Sequence, residues 1–183
     1  MNLTCVAFGP VDEGLLTAVG AALKRECGYN VTMAEVLPIP KESFDERRGQ
    51  YNSELLLRTL LRKKESSSFE LAVTNVDLFI PMLSFVFGQA QLKGTVAVVS
   101  AARLHQEFYG LPAQPLLTAE RLQKEALHEV GHLAGLTHCL DSRCPMTLST
   151  SLPLLDQKGS RFCGNCKQAF LEQQRITMNE SRT

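Results

Sequence analysis

Three of the four histidines in this 183-residue chain lie in one stretch of eleven residues, HEVGHLAGLTH. His128 and His132 are four positions apart, so on a helix they lie on the same face and their imidazoles can reach one metal ion. Gly135 can adopt the left-handed conformation that ends a helix, and the turn it makes allows His138 to return to that ion. Three nitrogen ligands leave one position of a tetrahedral zinc ion open, as catalysis requires. The spacing therefore predicts a catalytic zinc site.

Glu129 follows His128 and projects about 100° away from it around the helix axis. From there its carboxylate can hold a water molecule instead of binding the ion. Zinc lowers the pKa of its bound water and polarises a carbonyl group, and a nearby carboxylate can take the proton from the water and pass it to the leaving amine. The motif therefore predicts hydrolysis of a peptide or related amide bond by a zinc-bound water that Glu129 activates.

Two other interpretations of the motif stay open. The chain could keep its zinc sites without turnover and bind peptides or a protein partner, or it could be an interaction module in which HEVGH is incidental. The presence of Glu129 favours the enzyme, because a retired site has no chemical need for this carboxylate. The fourth histidine, His105, could approach the site from the preceding loop, but a solvent-facing or capping role is the favoured interpretation.

Four cysteines follow the third histidine in two pairs: Cys139, Cys144, Cys163 and Cys166. Four thiolates in this arrangement match a closed structural zinc site, which would clamp residues 145–162. Two disulfides or four free thiols are the alternatives. The remaining two, Cys5 and Cys27, are far from any motif and are predicted to be buried as small apolar side chains.

Hydrophobic periodicity predicts the elements that position these residues. Residues 2–8, 11–26 and 30–37 have the pattern of a β-α-β unit with neighbouring parallel strands. Residues 41–50 are polar and are predicted to form a loop, and residues 52–64 to form a helix. Further strands are predicted at 70–76, 84–90 and 94–99, the last two as a hairpin, and further helices at 116–134 and 165–176.

Composition restricts the class of protein. The chain has 19 basic and 19 acidic residues, so its formal net charge is zero, which argues against nucleic acid as a partner. No apolar run approaches the roughly 20 residues that span a bilayer. The N-terminal residues lack the basic and apolar regions of a signal peptide, so we expect a cytoplasmic protein with reduced thiols. We also expect a monomer that acts on peptides.

The segments HEVGHLAGLTHC, CPM and CGNC together resemble the archaemetzincins (archaelysins), a branch of the metzincin zinc metallopeptidases. Every element of that signature is present, and the segments NVDLFIP, FVFGQA and VVSAARL extend the resemblance over most of the chain. The resemblance implies two zinc ions per chain. One would be catalytic, with Glu129 as general base and His128, His132 and His138 as ligands. The other would be structural, with Cys139, Cys144, Cys163 and Cys166 as ligands.

The resemblance also implies an α/β fold: a twisted mixed sheet of about five strands with helices on one side. It places the active-site helix in an N-terminal subdomain, residues 1–135, and a small zinc-stapled subdomain after the hinge at Gly135, residues 136–183. Met146 would belong to a Met-turn beneath the catalytic zinc. Residues 84–90 would be the antiparallel edge strand that pairs with extended substrate. No tyrosine ligand is expected near Met146, and no pro-segment with a zinc-capping cysteine.

Overall fold

The computed structural model describes residues 1–64 and 68–180 of the chain. Its elements, in order, are β1 (Asn2–Phe8), α1 (Glu13–Cys27), β2 (Asn30–Leu37), a 3-10 turn (Lys41–Ser43), β3 (Phe44–Asp45), β4 (Gln50–Asn52), α2 (Ser53–Lys63), β5 (Phe69–Thr74), β6 (Leu78–Phe79), β7 (Gly88–Ala90), β8 (Val96–Ser100), two further 3-10 turns (Ala102–Leu104 and Gln106–Tyr109), α3 (Pro115–Leu133), α4 (Leu152–Gln157) and α5 (Gly164–Glu180).

The opening β-α-β unit is confirmed. The carboxylate of Asp12 accepts a hydrogen bond from the backbone N–H of Leu15 and caps the start of α1. Gly28, with a φ of 70°, ends that helix in the left-handed conformation. The chain then returns as β2, which lies parallel to β1.

The main sheet has five strands in the order β2-β1-β5-β8-β7. β1, β2, β5 and β8 are parallel, while β7 pairs antiparallel with β8 and forms one edge. The sheet is therefore mixed, as expected, and the predicted hairpin is the β7–β8 pair. The strand expected over residues 84–90 is shorter: its ladder contains only Gly88–Ala90, and Val86 makes a single bridge to Leu78.

Helices cover both faces of this sheet, so the expectation of helices on one side is wrong. Ala97 and Val99 of β8 belong to the core that includes α1 and α3, whereas Val96 and Val98 face the core that includes α2. Parallel strands buried on both faces consist of continuous apolar residues, and VAVVS at 96–100 has that composition.

A small second sheet replaces the loop predicted at residues 41–50. Its three strands have the order β3-β4-β6. Each strand has only two or three residues, too few for hydrophobic alternation to be visible in the sequence. Gln50 is buried there and its side-chain amide donates to Asp77 and to the carbonyl of Ser84, both 2.9 Å away.

The long helix α3 buries Leu122, Ala126, Val130 and Leu133, which repeat at steps of three and four, against α1 and β8. Beyond α3, Phe162 and Phe170 belong to the same core as α1, so the C-terminal segment packs on the main sheet unit. Among the helices of residues 1–64 and 68–180, none combines the length with the apolar composition of a membrane-spanning helix.

Candidate active site

Three imidazoles converge where α3 ends. One ring nitrogen from each of His128, His132 and His138 lies within 4.8 Å of the others. The Nε2 atoms of His128 and His132 are 3.1 Å apart. This convergence is what the spacing of four and then six residues predicts for a shared metal ion.

Backbone carbonyls orient two of these rings. Nδ1 of His128 lies 2.8 Å from the carbonyl oxygen of Pro145, and Nδ1 of His132 lies 2.8 Å from that of Leu136. A carbonyl can only accept, so each neutral ring donates from Nδ1 and keeps the lone pair of Nε2 available. This tautomer and this kind of outer hydrogen bond are typical of histidines that bind zinc, so the donor set fits a zinc ion.

Burial keeps the imidazoles neutral. It lowers the pKa of His128 well below its usual value, and the ammonium charge of Lys158 adds to this effect. Burial also lowers the pKa of His132 and His138. A metal ligand must offer a lone pair, so a lowered pKa favours binding at neutral pH.

Gly135 makes the turn that brings the third imidazole back. Its φ is 89°, and its N–H donates to the carbonyl of His132 at 2.9 Å. The N–H of Leu136 donates to the carbonyl of Gly131, also at 2.9 Å, which closes the helix end. These bonds account for the position of His138.

Met146 packs directly against the active-site helix. It is fully buried, and a Cβ added to Gly131 would lie only 2.3 Å from its sulfur. Gly131 lies between the two helical histidines in sequence, so the thioether contacts α3 at the level of the imidazoles. The preceding residue, Pro145, is the one whose carbonyl orients His128. Residues 145 and 146 therefore support the imidazole cluster from the side of the C-terminal segment.

Glu129 is buried beside His128, and burial raises the pKa of its carboxyl group well above the usual value. The negative charge of Glu125 adds to the increase, and the positive charge of Lys158 opposes it. Lys158 Nζ lies 3.2 Å from a carboxylate oxygen of Glu125, with both side chains buried. The site therefore contains two buried carboxylates that share one buried cation.

Sequence reasoning missed three residues beside Glu129. Lys158 and Glu125 form the buried pair, and Gly88 of β7 is so close that an added Cβ would lie 2.7 Å from a carboxylate oxygen of Glu129. Glu125 could have been found, because it lies four positions before Glu129 on the same helix. Lys158 and Gly88 are 29 and 41 positions from Glu129 (158 − 129 and 129 − 88), and nothing in the sequence marks them.

A pocket of about 170 Å³ adjoins the imidazole cluster. It is lined by residues 83–88, by 148–150 and by α3, through Glu125, His128 and Glu129.

Among the described residues, His105 does not belong to the imidazole cluster. It is half-buried, makes no capping side-chain bond, and lines a separate groove between the starts of α1 and α3. His105 therefore does not approach the site, and of the two roles favoured for it the structure shows no side-chain cap.

The four clustered cysteines also converge. Their sulfur atoms all lie within 4.8 Å of one another, and the sulfurs of Cys139 and Cys163 are 3.8 Å apart. That separation is far longer than the roughly 2 Å of a disulfide bond. Backbone N–H groups of Asp141 and Cys163 donate to sulfurs of the cluster. Four sulfurs at these separations fit a closed tetrahedral zinc site.

The other two cysteines are buried in the core, as predicted. Burial raises the pKa of the Cys5 thiol to about 12 and also raises that of Cys27. Both therefore stay protonated and unreactive at neutral pH.

Comparison with known proteins identifies the family. The model of peptidase family M54 matches residues 34–172. The archaemetzincin of Methanocaldococcus jannaschii is 43% identical over 169 residues, which cover 91% of this chain and 90% of that protein. The archaemetzincin of Methanopyrus kandleri is also 43% identical over 171 residues, with 92% and 94% covered.

Solved structures agree with this assignment. The crystal structure of archaemetzincin from Methanopyrus kandleri superposes with a TM-score of 0.86 at 35% identity and covers 96% of each chain. A zinc-dependent peptidase from Methanocorpusculum labreanum superposes with a TM-score of 0.80 at 31% identity, covering 92% of this chain and 99% of that one. The resemblance in the motif and the expected enzyme class, a zinc metallopeptidase, are thus confirmed. The chain belongs to peptidase family M54, the archaemetzincins.

Proposed function

We propose that the chain hydrolyses peptide bonds at the imidazole cluster, with Glu129 as the general base that activates the attacking water. The observation that carries the proposal is the convergence of three imidazoles whose outer nitrogens are engaged by backbone carbonyls. His128, His132 and His138 would hold a zinc ion, and Cys139, Cys144, Cys163 and Cys166 a second, structural one. When bound, the catalytic zinc supplies Lewis-acid chemistry that polarises the peptide carbonyl and acidifies water.

The surroundings of Glu129 support a role in proton transfer. Its buried carboxylate lies next to a metal-binding face and has a raised pKa, so it can accept a proton from water and deliver it to the leaving amine. Lys158 keeps positive charge near both buried carboxylates, which favours their ionised forms. Gly88 leaves room for the Glu129 side chain under the edge strand.

The surrounding elements would hold the substrate. β7 is an edge strand, so its outer N–H and C=O groups are available for pairing with an extended peptide. We propose that the substrate lies between two subdomains, residues 1–135 and 136–183, with Gly135 as the hinge and Met146 as the Met-turn residue. The pocket is lined from both sides of Gly135, which supports this division.

The substitution Glu129→Gln tests the mechanism. We expect peptide hydrolysis to fall by roughly 10²- to 10⁴-fold, the usual contribution of a general base, with zinc content and melting temperature preserved. Exposed Glu107 offers a matched control: Glu107→Gln should change neither rate nor zinc content. Cleavage of a mixed peptide library, with and without a chelator, measures the rate. Full activity of Glu129→Gln would show that the assigned mechanism is wrong. A zinc-loaded wild type that cleaves no peptide would support a binding protein instead.

A further inference from the structure

Lys93, in the turn between β7 and β8, has a backbone conformation that L-residues rarely adopt. Its φ is 55°, and within residues 1–64 and 68–180 it is the one residue other than glycine whose φ is positive. The Cβ atom makes this left-handed conformation unfavourable, so it persists only where surrounding contacts hold it. Glycine would adopt the same φ without that cost. The presence of lysine therefore requires an explanation in terms of what this residue contacts.

The backbone of Lys93 is bound to the end of the active-site helix. Its N–H donates to the carbonyl oxygen of His132 at 3.0 Å, and the N–H of Gly135 donates to the same oxygen at 2.9 Å. A carbonyl oxygen has two lone pairs, so both hydrogen bonds can form together. The β7–β8 turn and the turn at Gly135 thus meet at one atom, which belongs to one of the three clustered histidines.

The side chain of Lys93 lies over the same turn. A Cβ added to Gly135 would come within 3.1 Å of both Cγ and Cε of Lys93, so the aliphatic stem of the lysine lies against the Gly135 backbone. Within residues 1–64 and 68–180, no carboxylate forms an ion pair with the Lys93 ammonium group. The contact with Gly135 is therefore made by methylene groups and not by charge.

A shift of the Gly135 turn would displace two imidazoles. The carbonyl oxygen of Leu136 lies 2.8 Å from Nδ1 of His132 and orients that ring. His138 follows two residues after Leu136, so its position depends on the same stretch of backbone. Contacts outside the ligand set commonly fix the orientation of metal ligands. Lys93 makes two such contacts with this stretch, one at His132 and one at Gly135.

We propose that Lys93 is a positioning residue for the imidazole cluster. Its N–H and its aliphatic stem would fix the Gly135 turn, so that His132 and His138 are held where both can bind one zinc ion. The inference rests on the part of the proposed function that assigns zinc to these histidines, and it does not require hydrolysis. Lys93 also belongs to the hairpin that contains β7, so the edge strand and the imidazoles would be held by one connected unit of backbone.

A simpler explanation of Lys93 is electrostatic. A cation near the carboxyl end of a helix is favourable whatever else it does. That role requires the ammonium group and concerns folding, whereas positioning requires the stem and the N–H and concerns the metal. Lys93→Met keeps the stem and removes the charge. Lys93→Gly removes the stem, keeps the N–H and relieves the left-handed strain.

The zinc affinity of the imidazole cluster separates the two explanations. It is measured by competition with a chelator in the wild type and both variants, with zinc retained in the cysteine cluster. We expect Lys93→Gly to raise the zinc dissociation constant by roughly tenfold or more, as for other residues that orient metal ligands. Lys93→Met should bind zinc as tightly as the wild type. The melting temperature of metal-free Lys93→Gly should stay close to that of the wild type, because relief of strain offsets the greater freedom of glycine in the unfolded chain.

The absorption spectrum of cobalt provides a readout that a purely structural role would not change. Cobalt is bound at the imidazole cluster of protein whose cysteine cluster holds zinc. The position and intensity of its d–d bands depend on the number and arrangement of the ligands. We expect the wild type and Lys93→Met to share one spectrum and Lys93→Gly to differ from both.

Two results would overturn the proposal. One is an unchanged zinc affinity or an unchanged cobalt spectrum in Lys93→Gly, and the other is an equal loss in Lys93→Gly and Lys93→Met, which would assign the effect to the charge. Neither measurement needs turnover. If the wild type cleaves no peptide while Lys93→Gly loses zinc affinity, the proposed hydrolysis fails and the role of Lys93 stands. If peptides are cleaved and Lys93→Gly binds zinc like the wild type, the reverse holds.

Discussion

Gly88 shows how a single residue can decide whether the site is assembled. It lies on the edge strand, and an added Cβ would come within 2.7 Å of a Glu129 carboxylate oxygen and 2.9 Å of the backbone carbonyl of Val98. The carboxylate could rotate away, but the backbone of a central strand cannot. No left-handed conformation is involved here, since Gly88 is not among the residues with positive φ. The requirement for glycine is therefore steric.

We predict that Gly88→Ala lowers kcat by tenfold or more and costs about 1–3 kcal/mol of unfolding free energy, the usual range for overpacking. The rate should fall because Glu129 is displaced from the position it needs for proton transfer. Peptide cleavage and urea denaturation measure the two effects. Gly164, where an added Cβ would meet no atom within 4 Å, provides the matched control. Equal behaviour of the two alanine variants would contradict the steric argument.

Lys158 is the second residue whose role depends on burial. Its side chain is fully buried and its ion-pair partner Glu125 is 5% exposed. We predict that Lys158→Met destabilises the protein by about 3–5 kcal/mol, because it leaves an uncompensated buried carboxylate. The double variant Lys158→Met with Glu125→Leu should recover most of that loss, since two apolar side chains can replace a buried pair. Denaturant titrations of the wild type, the two single variants and the double variant measure the coupling free energy between Lys158 and Glu125. Equal instability of the single and double variants would contradict it.

At the residue scale, the sequence predicted what local spacing can encode. The three histidines, Gly135 and the four cysteines lie in two short segments, so helix geometry and chain length were enough to bring them together. Gly88 and Lys158 come from distant segments, and only strand order and the path of the chain after Cys144 place them beside Glu129. No periodic pattern in the sequence relates Gly88 or Lys158 to Glu129, so pattern analysis could not have found them.

Residues 83–87 form a wall of the pocket without the support of a regular ladder. Side chains hold this segment instead. Arg48 donates to the carbonyl of Leu83 at 3.0 Å, and Gln50 donates to that of Ser84. Arg103 stacks on Phe85 at 4.3 Å and forms a two-pronged salt bridge with Asp77, at 2.6 and 2.8 Å. This network explains why the predicted strand is short. Residues 84–87 have a composition typical of a strand, but side-chain contacts hold them in place of a hydrogen-bonded ladder.

We predict that Arg103→Lys raises KM for peptides several-fold while kcat changes little. Lysine cannot make the two-pronged contact with Asp77 or stack on Phe85 as a planar group, so the wall would loosen while the imidazoles stay in place. The stability cost should be about 1 kcal/mol. Arg58→Lys, in an exposed salt bridge on α2, is the control and should change neither constant. A loss confined to kcat would indicate that Arg103 acts on the chemistry instead.

The elements themselves were largely predictable. The β-α-β opening, the helix that bears the histidines and the β7–β8 hairpin have strong periodic patterns. The second sheet was not predictable, because its strands are too short to show a pattern and depend on contacts with residues 77–84. The placement of α2 on the far face of the sheet could have been read from the unbroken apolar run of β8, but the resemblance favoured helices on one side.

At the scale of the whole molecule, the C-terminal segment is held by apolar contacts and by the cysteine cluster. Phe162 and Phe170 pack in the main core, and Glu26 accepts a hydrogen bond from the N–H of Phe162 at 3.1 Å.

We predict that elemental analysis finds two zinc ions per chain in the wild type. Each of the variants His132→Ala and Cys166→Ala should retain only one zinc ion. The chain is also predicted to elute as a monomer in size-exclusion chromatography.

Only the cysteine variant should lose substantial stability. We expect Cys166→Ala to lower the melting temperature by several degrees, because a structural zinc contributes folding free energy directly. Hydrogen exchange should then increase in residues 139–163, while the main sheet remains protected. His132→Ala should change exchange there much less than Cys166→Ala does. An unchanged melting temperature in Cys166→Ala would show that apolar packing alone holds this segment.

His138 and Cys139 are adjacent, so the imidazole cluster and the sulfur cluster are joined by one peptide bond. The N–H of Cys139 also donates to the carbonyl of Met146 at 3.0 Å. This bond links the junction to the residue that packs against α3. Each cluster therefore restricts the backbone that carries the other. We expect the two ions to be taken up cooperatively, each filled site lowering the dissociation constant of its neighbour. A cell short of zinc would then contain either fully loaded or empty molecules, with few half-filled ones.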